Sequence, residues 1–141
     1  MTTPESTTRS VIVEKEFPQP PEKVWRALTE KSLIEQWLMK NDFEPVTGHS
    51  FTLRMDPVKG WNGVIDCEVL AVEPCRVLVY TWGALGLGSV VTFTLTPTDR
   101  GTHVRVEQSG FGENQDQAYN GAKWGWQSFI GKLEGVVAGI A

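Results

Sequence analysis

The hydrophobic pattern of the C-terminal quarter predicts one long amphipathic helix. From Tyr119 onward, apolar side chains recur every three or four positions and form a stripe about 100° wide on a helix. Its members are Ala122, Trp126, Phe129, Ile130, Leu133, Val137 and Ile140. A helix over residues 115–140 would be about 35 to 40 Å long at 1.5 Å per residue. We therefore expect the upstream elements to pack against this helix.

Between residues 51 and 109 the hydrophobic period is two, which predicts an antiparallel meander. The apolar positions of its successive strands are Phe51, Leu53 and Met55; Ile65, Cys67 and Val69; Leu78, Tyr80 and Trp82; Val91, Phe93 and Leu95; Val104 and Val106. The opposite positions carry mostly charged residues and threonines. The pattern indicates a sheet with one apolar and one solvated face.

The N-terminal third predicts a strand and two short helices. Val11, Val13 and Phe17 share the apolar parity of the strand, and Lys15 falls on the same parity. Before this strand, residues 1–9 are expected to form a poorly ordered tail, and residues 1–141 are expected to form a single domain.

The two helices follow from local start signals. Pro21 can occupy the first turn of one helix, and Ser32 precedes Glu35 by three positions, the spacing of a capping box. One sheet with a single apolar face and one long helix to cover it predicts an α+β two-layer domain.

Composition and charge exclude several classes of partner. The formal net charge of −4 supplies no cationic surface for nucleic acid or for an anionic bilayer. No apolar run approaches the roughly 20 residues that span a membrane, and residues 1–10 lack a hydrophobic signal region. We expect a cytoplasmic protein with reduced cysteines, because Cys67 and Cys75 show no disulfide framework.

Signatures of catalysis and of metal binding are absent from the sequence. His49 and His103 are the only histidines, and no serine or cysteine has a recognisable base and orienting partner. No ligand cluster indicates a metal site, and no cofactor is expected. An enzymatic activity would rest on analogy alone.

Several short motifs occur in one order along most of the chain. They are residues 20–25 with 28–29, residues 36–37, residues 62–64, 72–74 and 76–82, residues 101–102 and 108–111, and residues 125–126 with Leu133. Together they resemble the family named for the activator of the heat-shock protein 90 ATPase, in the START-like (SRPBCC), birch-pollen-allergen-like superfamily of helix-grip folds. Leu38 and the Gly48-His49 pair depart from the family pattern.

The resemblance implies a curved antiparallel sheet wrapped around one long C-terminal helix, with two short helices after the first strand and an apolar cavity between sheet and helix. The candidate cavity-lining residues are Lys15, Phe51, Leu53, Cys67, Tyr80, Trp82, Phe93, Gln108, Trp126, Phe129 and Ile130. Lys15 and Gln108 could meet inside as a polar tether for a ligand. Alternatively, Lys15 reaches the sheet edge and Gln108 bonds to the backbone.

Two further tryptophans have open interpretations. Trp61 lies in a Gly-Trp-Asn-Gly turn, where it could cap the cavity mouth, contact another protein or fold back over the sheet. Trp124 lies opposite the apolar stripe of the helix, on a face that could accept another chain or be covered by the two short helices.

Three functions from different classes follow. The first is a binding module that holds an apolar or aromatic small molecule, such as a lipid or a polyketide-like compound. The second is a chaperone co-factor that acts by protein interaction. The third is a cyclase or hydratase that acts on a cavity-bound substrate, with Lys15 or Tyr80 as proton carrier. The oligomeric state stays open, with a weak dimer as one outcome.

Overall fold

The computed structural model describes residues 9–57, 60–84, 87–112 and 114–140. The elements follow one another as β1 (Arg9–Phe17), α1 (Pro21–Thr29), α2 (Lys31–Trp37), β2 (Lys40–Asn41), β3 (Ser50–Arg54), β4 (Val64–Glu73), β5 (Val77–Ala84), β6 (Leu87–Thr98), β7 (Gly101–Phe111) and α3 (Asp116–Ala138). Eight of the nine residues of the predicted tail, 1–8, lie outside the described residues. Arg9 belongs to β1, where its guanidinium pairs with Asp116 at 2.6 Å.

The strands form one antiparallel sheet in the order β1-β7-β6-β5-β4-β3-β2. Each strand from β2 to β7 pairs with its sequence neighbour, whereas β1 pairs with β7 at the other end of the chain. Helix α3 packs against β1 and β7, and both short helices contact α3 as well. The predicted α+β helix-grip architecture is confirmed.

The phase of the long helix is the predicted one. Trp126, Ile130, Leu133 and Val137 are the buried residues of α3. They belong to the same hydrophobic core as the buried sheet residues Val104, Val106 and Phe93. The helix is slightly shorter than expected, because it begins at Asp116 and ends at Ala138.

Two local predictions differ from the structure. The capping box at Ser32 is wrong: α2 begins at Lys31, Glu30 is its N-cap, and no side chain caps it. Only Glu30 separates α1 from α2, so Ser32 lies already inside the second helix. Strand β2 was not expected, because two residues are too short to show a period.

Candidate ligand-binding cavity

An apolar cavity of about 440 Å³ lies between the first half of α3 and one end of the sheet. Strands β4, β5 and β7 form its wall opposite the helix. Its lining residues are Met39, Trp61, Ile65, Trp82, Ala84, Gln108, Phe111, Ala118, Gly121, Ala122, Trp124, Gly125, Trp126 and Phe129. The volume falls within the roughly 300 to 1,000 Å³ that is typical of small-molecule sites.

The cavity exists because small residues follow one stripe of α3. Ala118, Gly121, Ala122 and Gly125 recur at spacings of three or four and line the cavity. A Cβ at Gly121 would meet no atom within 4 Å, so the empty space begins at the helix backbone. Beyond Gly125 the stripe changes to large side chains, which fill the space between helix and sheet.

Aromatic rings surround this space. Trp126 of α3 lies 5.4 Å from Trp82 of β5 and 5.6 Å from Phe129, measured between ring centroids. The interplanar angles are 57° and 72°, so the rings meet in tilted and edge-to-face arrangements. Such rings present both faces and edges to a ligand.

The turn before β4 brings Trp61 to the cavity. The Trp61 indole donates a hydrogen bond to the carbonyl of Val64 at 3.2 Å, which fixes the ring against the strand. Gly63 adopts φ +82°, and a Cβ there would collide with the carbonyl oxygen of Met55. Only glycine fits this turn readily, and the ring of Trp61 lies in the cavity wall.

The cavity opens to solvent along the first turns of α3. Ala118, Gly121 and Trp124 line it and are all exposed, and Trp124 is 74% exposed. An open cavity exchanges with water and avoids the cost of a sealed void, about 24 cal/mol per Å³. The short helices do not cover the outer face of α3 at Trp124, Gly131 or Gly135.

A buried hydrogen-bond chain joins helix and sheet at the cavity. The Trp126 indole donates to Gln108 Oε1 at 2.7 Å, and Gln108 Nε2 donates to Ser89 Oγ at 2.8 Å. Ser89 in turn donates to the carbonyl of Trp82 at 2.8 Å. An indole can only donate, so the orientation of the Gln108 amide is set by Trp126.

The structure does not bring Lys15 to the cavity or to Gln108. In β1 the residue opposite Gln108 is Val11, and Lys15 pairs with Val104. The Lys15 ammonium lies 3.2 Å from Glu134 on α3, and its side chain is 45% exposed. A long side chain at a sheet edge extends to water rather than burying its charge. Of the two alternatives for Lys15, the structure shows the one in which its side chain reaches the sheet edge, and the polar tether with Gln108 is wrong.

Four of the eleven candidate residues meet at the cavity: Trp82, Gln108, Trp126 and Phe129. The others, apart from Lys15, form the packed core beside it: Phe51, Leu53, Cys67, Tyr80, Phe93 and Ile130. This core is an aromatic chain, with Phe51 5.1 Å from Tyr80 and Tyr80 5.8 Å from Phe93.

Burial controls the titration of the two ionisable groups in this core. It raises the pKa of the Cys67 thiol to about 12, and the charges of Asp66 and Asp42 add to this effect. Burial also raises the pKa of Tyr80 well above its ordinary value. Both groups stay protonated at neutral pH, and neither lines the cavity. Tyr80 and Lys15 are thus poorly placed to carry a proton to a bound molecule.

Two sequence patterns mark lining residues that are absent from the predicted set. Ile65 has the apolar parity of β4, and the glycines and alanines of α3 interrupt its apolar stripe at helical spacing. Met39, Ala84 and Phe111 carry no such signal, because their positions depend on how α2 and the ends of β5 and β7 meet.

The family assignment rests on a match over most of the chain. The family model described as Activator of Hsp90 ATPase homolog 1-like protein matches residues 18–138. The chain belongs to this family. The resemblance of the short motifs is therefore confirmed, and their positions lie within the matched range. No curated protein sequence matches the chain.

Solved structures of similar proteins share the fold. Protein MLL2253 from Mesorhizobium loti is 56% identical with a TM-score of 0.87, over 92% of this chain and 97% of that one. BH1534 from Bacillus halodurans is 27% identical with a TM-score of 0.80, over 93% and 99%. DynU16, a protein in the dynemicin biosynthetic locus, is 29% identical with a TM-score of 0.79. That alignment covers 92% of this chain but 47% of DynU16, so the chain spans about half of that protein.

Two further features bear on the class of site. The described part of the chain holds no group of three or more His, Cys, Asp or Glu side chains placed to bind a metal ion. Within the same residues, no helix combines the length and the apolarity that crossing a bilayer requires.

Proposed function

We propose that the protein is a binding module that holds an apolar small molecule in the cavity between α3 and the sheet. The observation that carries this proposal is the composition of the cavity wall. Thirteen of its fourteen described lining residues are apolar, aromatic or glycine, and they enclose about 440 Å³. Small-molecule sites are mostly apolar clefts with a few placed polar groups.

The ring surface in the cavity supports the same proposal. Trp82 and Phe129 line the open cavity and are half-buried, and transfer of their exposed ring surface from water to a ligand gains about 25 cal/mol per Å². The location of DynU16 in a biosynthetic locus is consistent with a role in handling small molecules.

A pair of glycine substitutions on α3 tests the proposal. Gly125 lines the cavity, whereas Gly131 is exposed on the same helix outside it, and a Cβ at Gly131 meets no atom within 4 Å. Gly125→Leu fills the cavity and Gly131→Leu does not, although both remove a helix glycine. We expect apolar dyes and ligands retained in native mass spectrometry to bind the wild type and Gly131→Leu and to be lost from Gly125→Leu. Equal binding by both variants, or none by the wild type, would contradict the proposal.

A chaperone co-factor role is the second candidate, favoured by the family description and by the exposed ring of Trp124. It predicts that the protein changes the ATPase rate of a heat-shock protein 90 chaperone and that Trp124→Ala abolishes the change. An unchanged rate and no heat of binding in calorimetry would exclude it. Catalysis on a cavity-bound substrate draws no support from Lys15 or Tyr80, since neither lines the cavity.

A further inference from the structure

Apart from the indole N–H groups of its tryptophans, Gln108 is the polar group of the described cavity lining. Among the described lining residues, it is the one whose side chain carries an amide, a hydroxyl or a charge. It is 2% exposed, and it lies beside the rings of Trp82 and Trp126. A ligand in the cavity would therefore meet a single amide within an aromatic wall.

Within the described part of the protein, half of the hydrogen-bonding capacity of this amide is unused. A glutamine amide offers two N–H donors and two acceptor lone pairs. The Trp126 indole takes one lone pair of Oε1 and Ser89 Oγ takes one N–H of Nε2. One donor and one acceptor site remain. Trp126 and Ser89 hold the amide in one orientation before a ligand binds, so binding does not have to order this side chain.

The described lining of the cavity contains no charge to balance an anion. No Lys, Arg or His lines it among the described residues, and the Lys15 ammonium lies at the surface beside Glu134. The chain carries a net charge of −4, which repels anions further. A carboxylate would lose its hydration on entry and gain only hydrogen bonds to neutral donors, the Gln108 amide and indole N–H groups.

We propose that the cavity selects neutral aromatic compounds bearing a hydroxyl or carbonyl group, which bonds to Gln108, and that it rejects carboxylates, fatty acids included. This inference rests on the proposed function and specifies its ligand class. The rings of Trp82, Trp126 and Phe129, which meet at 57° and 72°, contribute contacts that an aliphatic chain cannot match.

Four probes separate the effects of the hydroxyl group, the aromatic rings and the negative charge on affinity. They are 2-naphthol, 2-methylnaphthalene, 2-naphthoate and decanoate, titrated at neutral pH by calorimetry or tryptophan fluorescence. We expect 2-naphthol to bind about three- to tenfold more tightly than 2-methylnaphthalene, the value of one net hydrogen bond. We expect 2-naphthoate and decanoate to bind at least about tenfold more weakly than 2-naphthol.

A substitution assigns the preference to Gln108. In Gln108→Met, which keeps the length of the side chain, the affinity ratio of 2-naphthol to 2-methylnaphthalene should fall to about one. Gln127→Met is the matched control, since Gln127 is exposed on α3 and does not line the cavity. The ratio within one variant is insensitive to the folded fraction. In the wild type, 2-naphthol should also shift the side-chain amide resonances of Gln108 in NMR spectra more than 2-methylnaphthalene does.

Failure of this inference and failure of the proposed function give different results. Equal affinity for 2-naphthol and 2-methylnaphthalene, no additional shift of the Gln108 amide, or tight binding of 2-naphthoate would overturn this inference while leaving an apolar binding site intact. Absence of binding by every probe, together with identical results for Gly125→Leu and wild type in the dye screen, would overturn the proposed function and this inference with it.

Discussion

The indole nitrogen of Trp126 on α3 lies 2.7 Å from the amide oxygen of Gln108 on β7, and both residues are 2% exposed. This contact links the long helix to the sheet at the wall of the cavity. Since both side chains are almost fully buried, the loss of one partner leaves the other without that hydrogen bond.

Trp126→Phe tests the energetic value of this contact. We expect a loss of about 1 to 3 kcal/mol in the free energy of unfolding, because Gln108 Oε1 stays buried without its indole donor. Denaturant unfolding at constant m-value measures it. Trp124→Phe is the matched control on the same helix. At 74% exposure it should change stability by less than about 0.5 kcal/mol. Equal effects of the two substitutions would show that the hydrogen bond contributes nothing.

Trp82→Ala distinguishes a cavity wall from a packed core. Truncation of a fully packed ring costs about 3 to 5 kcal/mol, and Phe93, which is 0% exposed, should show this loss on change to alanine. Trp82 borders the open cavity and has fewer atoms against its ring, so Trp82→Ala should lose clearly less and weaken ligand binding. A full-sized stability loss with unchanged affinity in the folded fraction would place Trp82 in the core.

Leu133→Ala tests the contact between α3 and the rest of the core. Leu133 is 0% exposed, and its truncation should cost about 2 to 5 kcal/mol. The neighbouring Lys132 is exposed, so Lys132→Ala should stay within about 0.5 kcal/mol. The comparison uses urea midpoints of the two variants. A loss below about 0.5 kcal/mol for Leu133→Ala would contradict its burial.

The pKa of about 12 for Cys67 predicts a decline of stability in alkali. Below the ordinary thiol pKa the group is protonated in both the folded and the unfolded state. Between that value and about 12 only the unfolded thiol ionises, so the free energy of unfolding falls as pH rises. Unfolding measured at about pH 8 and about pH 10.5 should show a steeper decline for the wild type than for Cys67→Ala. Parallel curves would contradict the shift.

Thiol labelling is a second test of the burial of Cys67. Cys67 is buried, whereas Cys75 is half-buried in the turn between β4 and β5. A thiol reagent at about pH 8 should modify Cys75 first, and Cys67 only upon unfolding, because the thiolate is the reactive form. Peptide mapping identifies the labelled residue.

The sequence predicted the layers of the fold because they follow from periodicity. Period two placed Phe93 and Val106 on the buried face of the sheet, and period 3.6 placed Leu133 in the helix core. Periodicity says which side of an element faces the core but not which neighbour it meets. The side chains of Phe51 and Trp82 therefore had the same signal, although one packs in the core and the other lines the cavity.

Lys15 illustrates a second limit of prediction from the hydrophobic pattern. Its parity directs the Cβ toward the helix side of the sheet, yet its flexible side chain carries the ammonium out to Glu134. Conversely, the cavity depends on the lack of a side chain at Gly121 and Gly125. Glycine has no functional group, so its chemistry does not mark it as a binding-site residue.

The position of β1 in the sheet has a consequence for folding. Glu14 on β1 contacts His103 on β7 across 89 positions of sequence. At about 5 to 20 residues per second, the ribosome needs roughly 5 to 20 s to supply the partner strand. Such distant pairing slows folding, since the chain must close a large loop before the contact forms. Until then β1 lacks its partner strand β7, and α3, which is made after β7, has no closed sheet to pack against.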